Sequence, residues 1–288
     1  MSTLRIWLTG INGDVLELGE YSGTYRRLQG ARGFGIPPTQ LDLVEGAGDG
    51  ARFRFSRKGP RDLDLPLLIV GNSRAEVHAA QRRLSNVLRD RPGQAPAKLS
   101  FIAGSGAEYT IDVHYVAGAE TQIGESGSET HTRWLLTLRC PAPFWTARDA
   151  VSIPPLRVSS GRQLRPKLGN LRVNSSQVLG NVLIENPGDV DAHLTWVLTG
   201  PATSFSATRQ DGKAFVLGVI VAGETITLDT KTGKVTDQTG ANRYALLGSA
   251  PKLFTLPGGS SIVAVTMEGA TTASLVQAFY RPRLEVMY

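Results

Sequence analysis

The sequence predicts a mainly β chain of two domains. The first, residues 1–145, is an α+β domain: a β-sandwich or barrel carrying one helix. The second, 146–288, is a β-sandwich of jelly-roll type. Three observations carry this reading. Ser73 to Asp90 is the one convincing helix. Beyond the midpoint only short strands and turns follow. Between the halves, Trp134–Trp145 (WLLTLRCPAPFW) runs an apolar strand into two prolines and two aromatics.

The length of 288 residues suits one large domain or two ordinary ones, and the proline-aromatic stretch near the midpoint favours two. The alternative is an internal proline loop within a single large domain. A hydrophobic content of 41% is that of a globular chain, and 32 glycines and 16 prolines are spread as many short strands require.

In chain order, Leu4, Ile6 and Leu8 alternate with Arg5 and Trp7. Gly10 to Asp14 turns, and Val15, Leu16 and Leu18 resume, so an N-terminal hairpin is expected. Gly30 to Pro38 is glycine-rich but opens no helix. It does not fit a dinucleotide fingerprint and reads as a loop lying close to another backbone. Leu41 and Leu43 lead into the Gly46–Gly50 turn cluster. Arg52-Phe53-Arg54-Phe55 then alternates, which places Phe53 and Phe55 toward the core and Arg52 and Arg54 outward. With Arg57, Lys58 and Arg61 this strand is either a contact for an acidic partner or phosphate, or the wet face of a hairpin. Leu63, Leu65 and Leu67 to Val70 form the next strand.

Ser73 with Glu76 three residues later makes a capping box. Val77, Ala80, Leu84 and Val87-Leu88 share one helical face, and Pro92-Gly93 ends the helix. At about 1.5 Å per residue it spans roughly 27 Å, a one-sided lid on a sheet. Leu99 and Phe101 begin a hairpin turning at Gly104–Gly106, with Tyr109, Ile111, Val113 and Tyr115 on one face of the return strand. Ala117 to His131 is a long polar loop. In Trp134–Cys140, Trp134, Leu136, Leu138 and Cys140 alternate with Leu135 and Thr137, so this strand reads as apolar on both faces and central. Pro141 and Pro143 end it as a stiff hinge, and Phe144 and Trp145 pin the domain border.

In the second half the expected strands are Asn181–Glu185, Ala192–Thr199, Ser204–Thr208, Ala214–Ile220, Thr225–Asp229, Lys234–Val235, Phe254–Leu256, Ser261–Met267 and Ala273–Tyr280. Turns at Asn186–Asp189, Asp211-Gly212, Ala222-Gly223, Thr232-Gly233 and Pro257–Gly259 separate them. Leu194, Trp196 and Leu198 should face the core.

The net charge of +6 is diffuse, which argues against a dedicated nucleic-acid binder. Cys140 is the single cysteine, so no intrachain disulfide forms, and on so apolar a strand it reads as a small buried hydrophobe. No run is long enough to span a membrane, and Arg5 with Asn12–Asp14 breaks any signal-peptide core, so folding in a cytoplasm is expected. His78, His114, His131 and His193 lack partners at metal spacing. No nucleophile elbow, P-loop or zincin motif is present, and no catalytic, cofactor or metal residue is assigned.

The succession of hairpin, Gly33-Phe34-Gly35-Ile36-Pro37-Pro38 loop, Arg-rich strand, single helix, long strand pair and Pro143-Phe144-Trp145 junction resembles the siphophage distal tail proteins. In the second half, Ile226–Thr230 with Gly233, and Phe254 to Gly258 before the last two strands, are similar to their C-terminal domain. The resemblance implies a tube-like belt domain at 1–145 and a galectin-like sandwich at 146–288. It implies a non-enzymatic virion protein that forms a ring, a homohexamer, at the tail tip or baseplate after assembly in the host cytoplasm. The implied partners are the tail tube protein above, a hub or tail-associated lysin below, the tape measure protein, and receptor-binding proteins or fibres. DNA would only pass through the channel. Expected interface residues are Arg52, Arg54, Arg57, Arg61, Phe34, Pro37, Pro38, Glu120 and Glu125, and the junction is Trp134, Pro141, Pro143, Phe144 and Trp145. The runner-up is a protein that holds host glycans on aromatics of the second domain, with Trp196, Phe215 and Phe279 as candidates. A hydrolase ranks last.

Overall fold

The computed structural model describes residues 4–120, 127–157 and 178–287. The chain divides into two compact units, Met1–Arg148 with Leu284–Tyr288, and Asp149–Arg283. The last five residues thus belong with the first unit, whereas the sequence reading assigns them to the second domain.

The first unit contains β1 (Ile6–Thr9), β2 (Val15–Gly19), β3 (Tyr25–Arg27), β4 (Thr39–Glu45), β5 (Ala51–Lys58), β6 (Arg61–Val70), α1 (Arg74–Val87), β7 (Ala97–Ile102), β8 (Glu108–Ala117), β9 (Gly127–Ser128), β10 (His131–Cys140) and β11 (Trp145–Ala147). Seven of these close a barrel in the order β1-β2-β3-β6-β10-β8-β7 and back to β1. Only β2–β3 is parallel. Period-two burial fills the interior. Leu63, Leu65, Leu67 and Ile69 of β6, Ile111 and Val113 of β8, and Leu136, Leu138 and Cys140 of β10 all point inward. β10 is a barrel strand with one wet face, not a strand apolar on both sides. Leu135 lies opposite Pro66 on the outside and is half exposed.

The helix forms as its residues dictate. Ser73 Oγ accepts from Glu76 N at 3.3 Å, and the Glu76 carboxylate reaches back to Asn72 N at 2.8 Å, so both orphan donors are satisfied. Val77, Ala80, Leu84 and Val87 are buried, and Tyr25 Oη donates to Ala80 O at 2.9 Å.

The seam between β8 and β10 closes the barrel and needs a glycine. Gly118 has φ +98° and accepts from Leu135 N at 3.1 Å. A Cβ there would stand 1.6 Å from Leu135 O. Past the seam, β10 and β11 behave as one interrupted strand along a single edge of β8. Leu138 and Arg139 pair with Tyr115 and His114, and Thr146 and Ala147 pair with Thr110 and Tyr109. Pro141–Phe144 is the jog between them. The prolines therefore interrupt a ladder inside the first unit rather than ending it, because a residue without N–H is tolerated where the chain leaves the ladder.

In the second unit, β12 (Val151–Ser152), β13 (Leu156–Arg157), β14 (Val178–Asn186), β15 (Ala192–Thr199), β16 (Ser204–Arg209), β17 (Ala214–Leu217), β18 (Thr225–Asp229), β19 (Val235–Asp237), β20 (Thr255–Leu256), β21 (Gly259–Glu268) and β22 (Leu275–Tyr280) form two antiparallel sheets. One runs β12-β22-β15-β18-β19, with β13 on β22 and β20 on β15; the other runs β14-β21-β16-β17. Leu194, Trp196 and Leu198 do face the core. Trp196, Phe205, Phe215 and Phe254 pack as an aromatic cluster with centroids 5.6–6.1 Å apart. The first-half expectations for 121–126 and the second-half segment 158–177 lie outside the described residues.

Two substitutions test this architecture in thermal or urea melts. Gly118→Ala should destabilise the first unit by about 3 kcal/mol or more, through clash with Leu135 O and a disfavoured φ. Ser73→Ala should cost about 1 kcal/mol.

Candidate assembly surface

Strands β4 and β5 pair only with each other among the described residues and stand apart from the barrel sheet. Almost every residue in them is exposed. This overturns the expectation that Phe53 and Phe55 point into a core: they are 58% and 53% exposed. The alternation in the sequence was real, but no part of the described chain covers either face.

The register explains a second difference. Asp42 pairs with Phe55 and Leu43 pairs with Phe53, so Arg54 is an extra residue, a bulge, in β5. Phe53 and Phe55 therefore lie opposite successive residues of β4 and fall on opposite faces. One face carries Leu41, Leu43 and Phe53. The other carries Gln40, Asp42, Arg52 and Arg57, together with Val44 and Phe55. Arg57 Nε donates to Gln40 Oε1 at 2.7 Å, and Arg54 lies 3.5 Å from the Asp42 carboxylate. Leu41, Leu43 and Val44 were the signal that sequence reading passed over, since it treated Leu41 and Leu43 as a lead-in to the turn.

Arg61 differs from the other arginines. It was expected at an interface, yet it is 1% exposed. The first residue of β6, it points into the barrel end beside Cys140, its partner in the β10 register. Its Nη1 donates to Gly33 O at 3.2 Å and Gly35 O at 3.0 Å, and its Nη2 to Glu285 O at 2.7 Å. Burial lowers its pKa, and the nearby Cys140 and Glu285 act the other way. Gly33 lies against β6, as the glycine-rich loop suggested: a Cβ there would stand 2.0 Å from Asp62 O.

Phe34 and Pro37 are buried too, while Pro38 and Ile36 are exposed. Phe34 stacks on Trp145 with centroids 6.3 Å apart, and Trp145 meets Phe101 edge-on at 5.0 Å. Trp145 is fully buried in the first core, so it pins the barrel. Trp134, Pro143 and Phe144 are half-buried, and Pro141 is exposed. The exposed Glu120 accepts from Gly118 N at 2.8 Å; Glu125 lies outside the described residues. On the outer barrel face, Arg139 and Asp62 form a bidentate pair at 2.8 Å, and the bond from Arg139 holds the Asp62 carboxyl below its usual range.

No group of three or more His, Cys, Asp or Glu side chains among the described residues could hold a metal ion. His114 Nδ1 lies 3.0 Å from Asp90 Oδ2 at the surface. Of the aromatics considered for glycan, Trp196 and Phe215 are buried and Phe279 is half-buried, so no stacking platform is built from them. No described helix is long and apolar enough to cross a membrane.

Three solved structures share this arrangement. The SPP1 Dit protein, titled a paradigm of the hub adsorption apparatus in phages infecting Gram-positive bacteria, superposes with TM-score 0.68 at 13% identity over 98% of this chain and 99% of its own. The chain has the fold of a phage tail-hub protein. The phage P2 baseplate in its activated conformation gives 0.55 with calcium and 0.54 with strontium, each at 10% identity over 99% of this chain and 100% of that one. No family model matches the sequence, and no curated protein matches it. The likeness therefore lies in the tail-hub fold and not in the sequence.

Two outcomes test the Arg61 centre. Arg61→Met should cost about 3–5 kcal/mol, since it leaves three carbonyls facing an apolar side chain. The Cys140 thiol is pushed up to about 12 by burial. It should be inert to a disulfide reagent at pH 8 in the native protein and react at once in denaturant. An unfolded thiol ionises near 9.0 and the folded one near 12. Cys140 thus contributes stability that is complete below about pH 9 and is lost as the pH rises through that window, which urea melts at pH 8 and pH 11 would read.

Proposed function

We propose that this chain is a structural, non-enzymatic component of a siphophage tail tip. Six copies form a ring that ends the tail tube and joins it to the hub of the baseplate. The single observation that supports this best is the likeness over nearly the full length of both chains to a tail-hub protein, in both the barrel unit and the sandwich unit. The seven-stranded barrel unit is the belt domain of that reading, and the Asp149–Arg283 unit is the outward sandwich.

The partners in this reading are further copies of the chain, the tail tube protein, the hub or tail-associated lysin, the tape measure protein, and receptor-binding proteins or fibres. Duplex DNA passes through the ring. Because tight phosphate binding would slow passage, assembled rings should bind duplex DNA only weakly. Nothing observed favours the glycan-holding alternative.

Negative-stain imaging and mass photometry of the purified protein test the reading directly. Annular particles of six copies are expected. A monomer at every concentration, or an open filament, would remove it.

A further inference from the structure

We propose that the β4–β5 hairpin is an assembly arm whose Leu41–Leu43–Phe53 face seats on a second copy of the chain, against the outer barrel patch of Leu135, Val116 and Pro66. This deepens the ring reading and rests on it.

The first argument is the instability of the arm by itself. A two-stranded hairpin is marginal in water; a third strand or an apolar support is needed to hold it. Here Leu41, Leu43 and Phe53 are 60%, 50% and 58% exposed, and Leu43 faces Phe53 directly across the strands. At about 3.4 Å per residue the arm is roughly 27 Å long. Leu41, Leu43 and Phe53 lie side by side on one face of it, rimmed by Thr39, Ser56 and Lys58, and such a cluster marks a contact surface rather than scattered exposed residues.

The second argument identifies the occupant. Among the described residues the same unit leaves another apolar patch without cover: Leu135 and Val116 are 51% and 49% exposed, and Leu135 lies opposite the half-buried Pro66. Gly118 holds the chain between Val116 and Leu135 tightly at the barrel seam, so this patch is rigid. Two different patches on one molecule, one on an arm and one on a wall, make a head-to-tail contact. Such a contact builds a closed ring when its rotation closes. The arm also carries open edges on both strands. Arms that point the same way set β4 of one copy beside β5 of the next in antiparallel order, the order each arm already uses within itself. A second copy therefore matches the face and the edge at once.

The third argument is the bulge at Arg54. It moves Phe55 away from Phe53, so the docking face keeps Leu41, Leu43 and Phe53 while Arg52, Arg57, Gln40 and Asp42 stay together on the other face. The bulge thus leaves all three docking residues on one face and gathers the arginines on the other, where Val44 and Phe55 accompany them.

The test uses the full-length protein. Phe53→Asp with Leu43→Asp should disperse the ring while leaving the melting temperature of the monomer within about 2 °C, because neither residue belongs to the barrel core. Val44→Asp, the same chemical change on the opposite face, should leave rings intact. Independently, Phe53→Cys with Leu135→Cys should give a ladder of disulfide-linked multimers on non-reducing gels after mild oxidation, which neither single variant gives. Rings that persist in the Phe53/Leu43 variant, rings lost with Val44→Asp, or absence of the ladder in assembled protein would each overturn the arm and leave the ring reading standing. A wild-type chain that never assembles overturns both.

Discussion

The first unit depends on one buried guanidinium. Arg61 is an expensive residue to bury, and isolated it would be strongly destabilising. Three backbone carbonyls from two remote segments, the Gly33–Gly35 loop and the Glu285 bend of the tail, make it tolerable. Arginine suits this place because its planar fork reaches several acceptors at once, and a lysine would reach fewer. The contacts around it follow from that choice. Met287 N donates to Phe34 O at 3.2 Å, Phe34 covers Trp145, and Lys58 Nζ lies 2.5 Å from Glu285 Oε1. The guanidinium thus gathers the barrel end, the glycine-rich loop and the chain terminus into one packed group.

Closure of the barrel imposes the second constraint. A sheet that bends back on itself must bring β8 and β10 together, and there the ladder shifts register between Thr137 and Leu138. Gly118 absorbs the close approach, and Pro141–Phe144 lets the chain step out and return to the same edge of β8. The sequence showed both features as local punctuation. It did not show that they serve one seam, because the pairing of β8 with β10 and β11 is a property of the closed sheet.

The sequence made the elements legible where their residues bury against partners nearby in the pattern. The Ser73–Glu76 cap, the Val77–Leu84 face and the inward Leu194, Trp196 and Leu198 follow directly from periodicity and capping, since each periodic face has a core to meet. The fold class was legible for the same reason. The Arg52–Arg61 stretch was not, and the cause is physical. Period-two alternation reports that a strand has two unlike faces, but it is silent about what lies against either face. Phe53 and Phe55 therefore read as core although no described residue covers them, and Arg61 reads as surface although three carbonyls enclose it. The bulge at Arg54 leaves no compositional mark either, because it is set by where Gly46–Gly50 turns and by which residues of β4 then stand opposite.

These two misread places are neighbours, and their adjacency links stability to assembly. The arm leaves the barrel after Pro37, which is buried, and returns at Gly59-Pro60, one residue before Arg61. At its root Gly59 N donates to Pro38 O at 2.8 Å, and Lys58 is held at Glu285. The guanidinium fixes both sides of that root: the loop carbonyls of Gly33 and Gly35 before the arm, and the start of β6 after it. A hairpin that is exposed along its length but clamped at its base points in one direction, which lowers the entropy lost when its face is covered. In this arrangement the least exposed arginine of the stretch sets the aim of the most exposed strands, so the clasp that holds the barrel end also presents the arm.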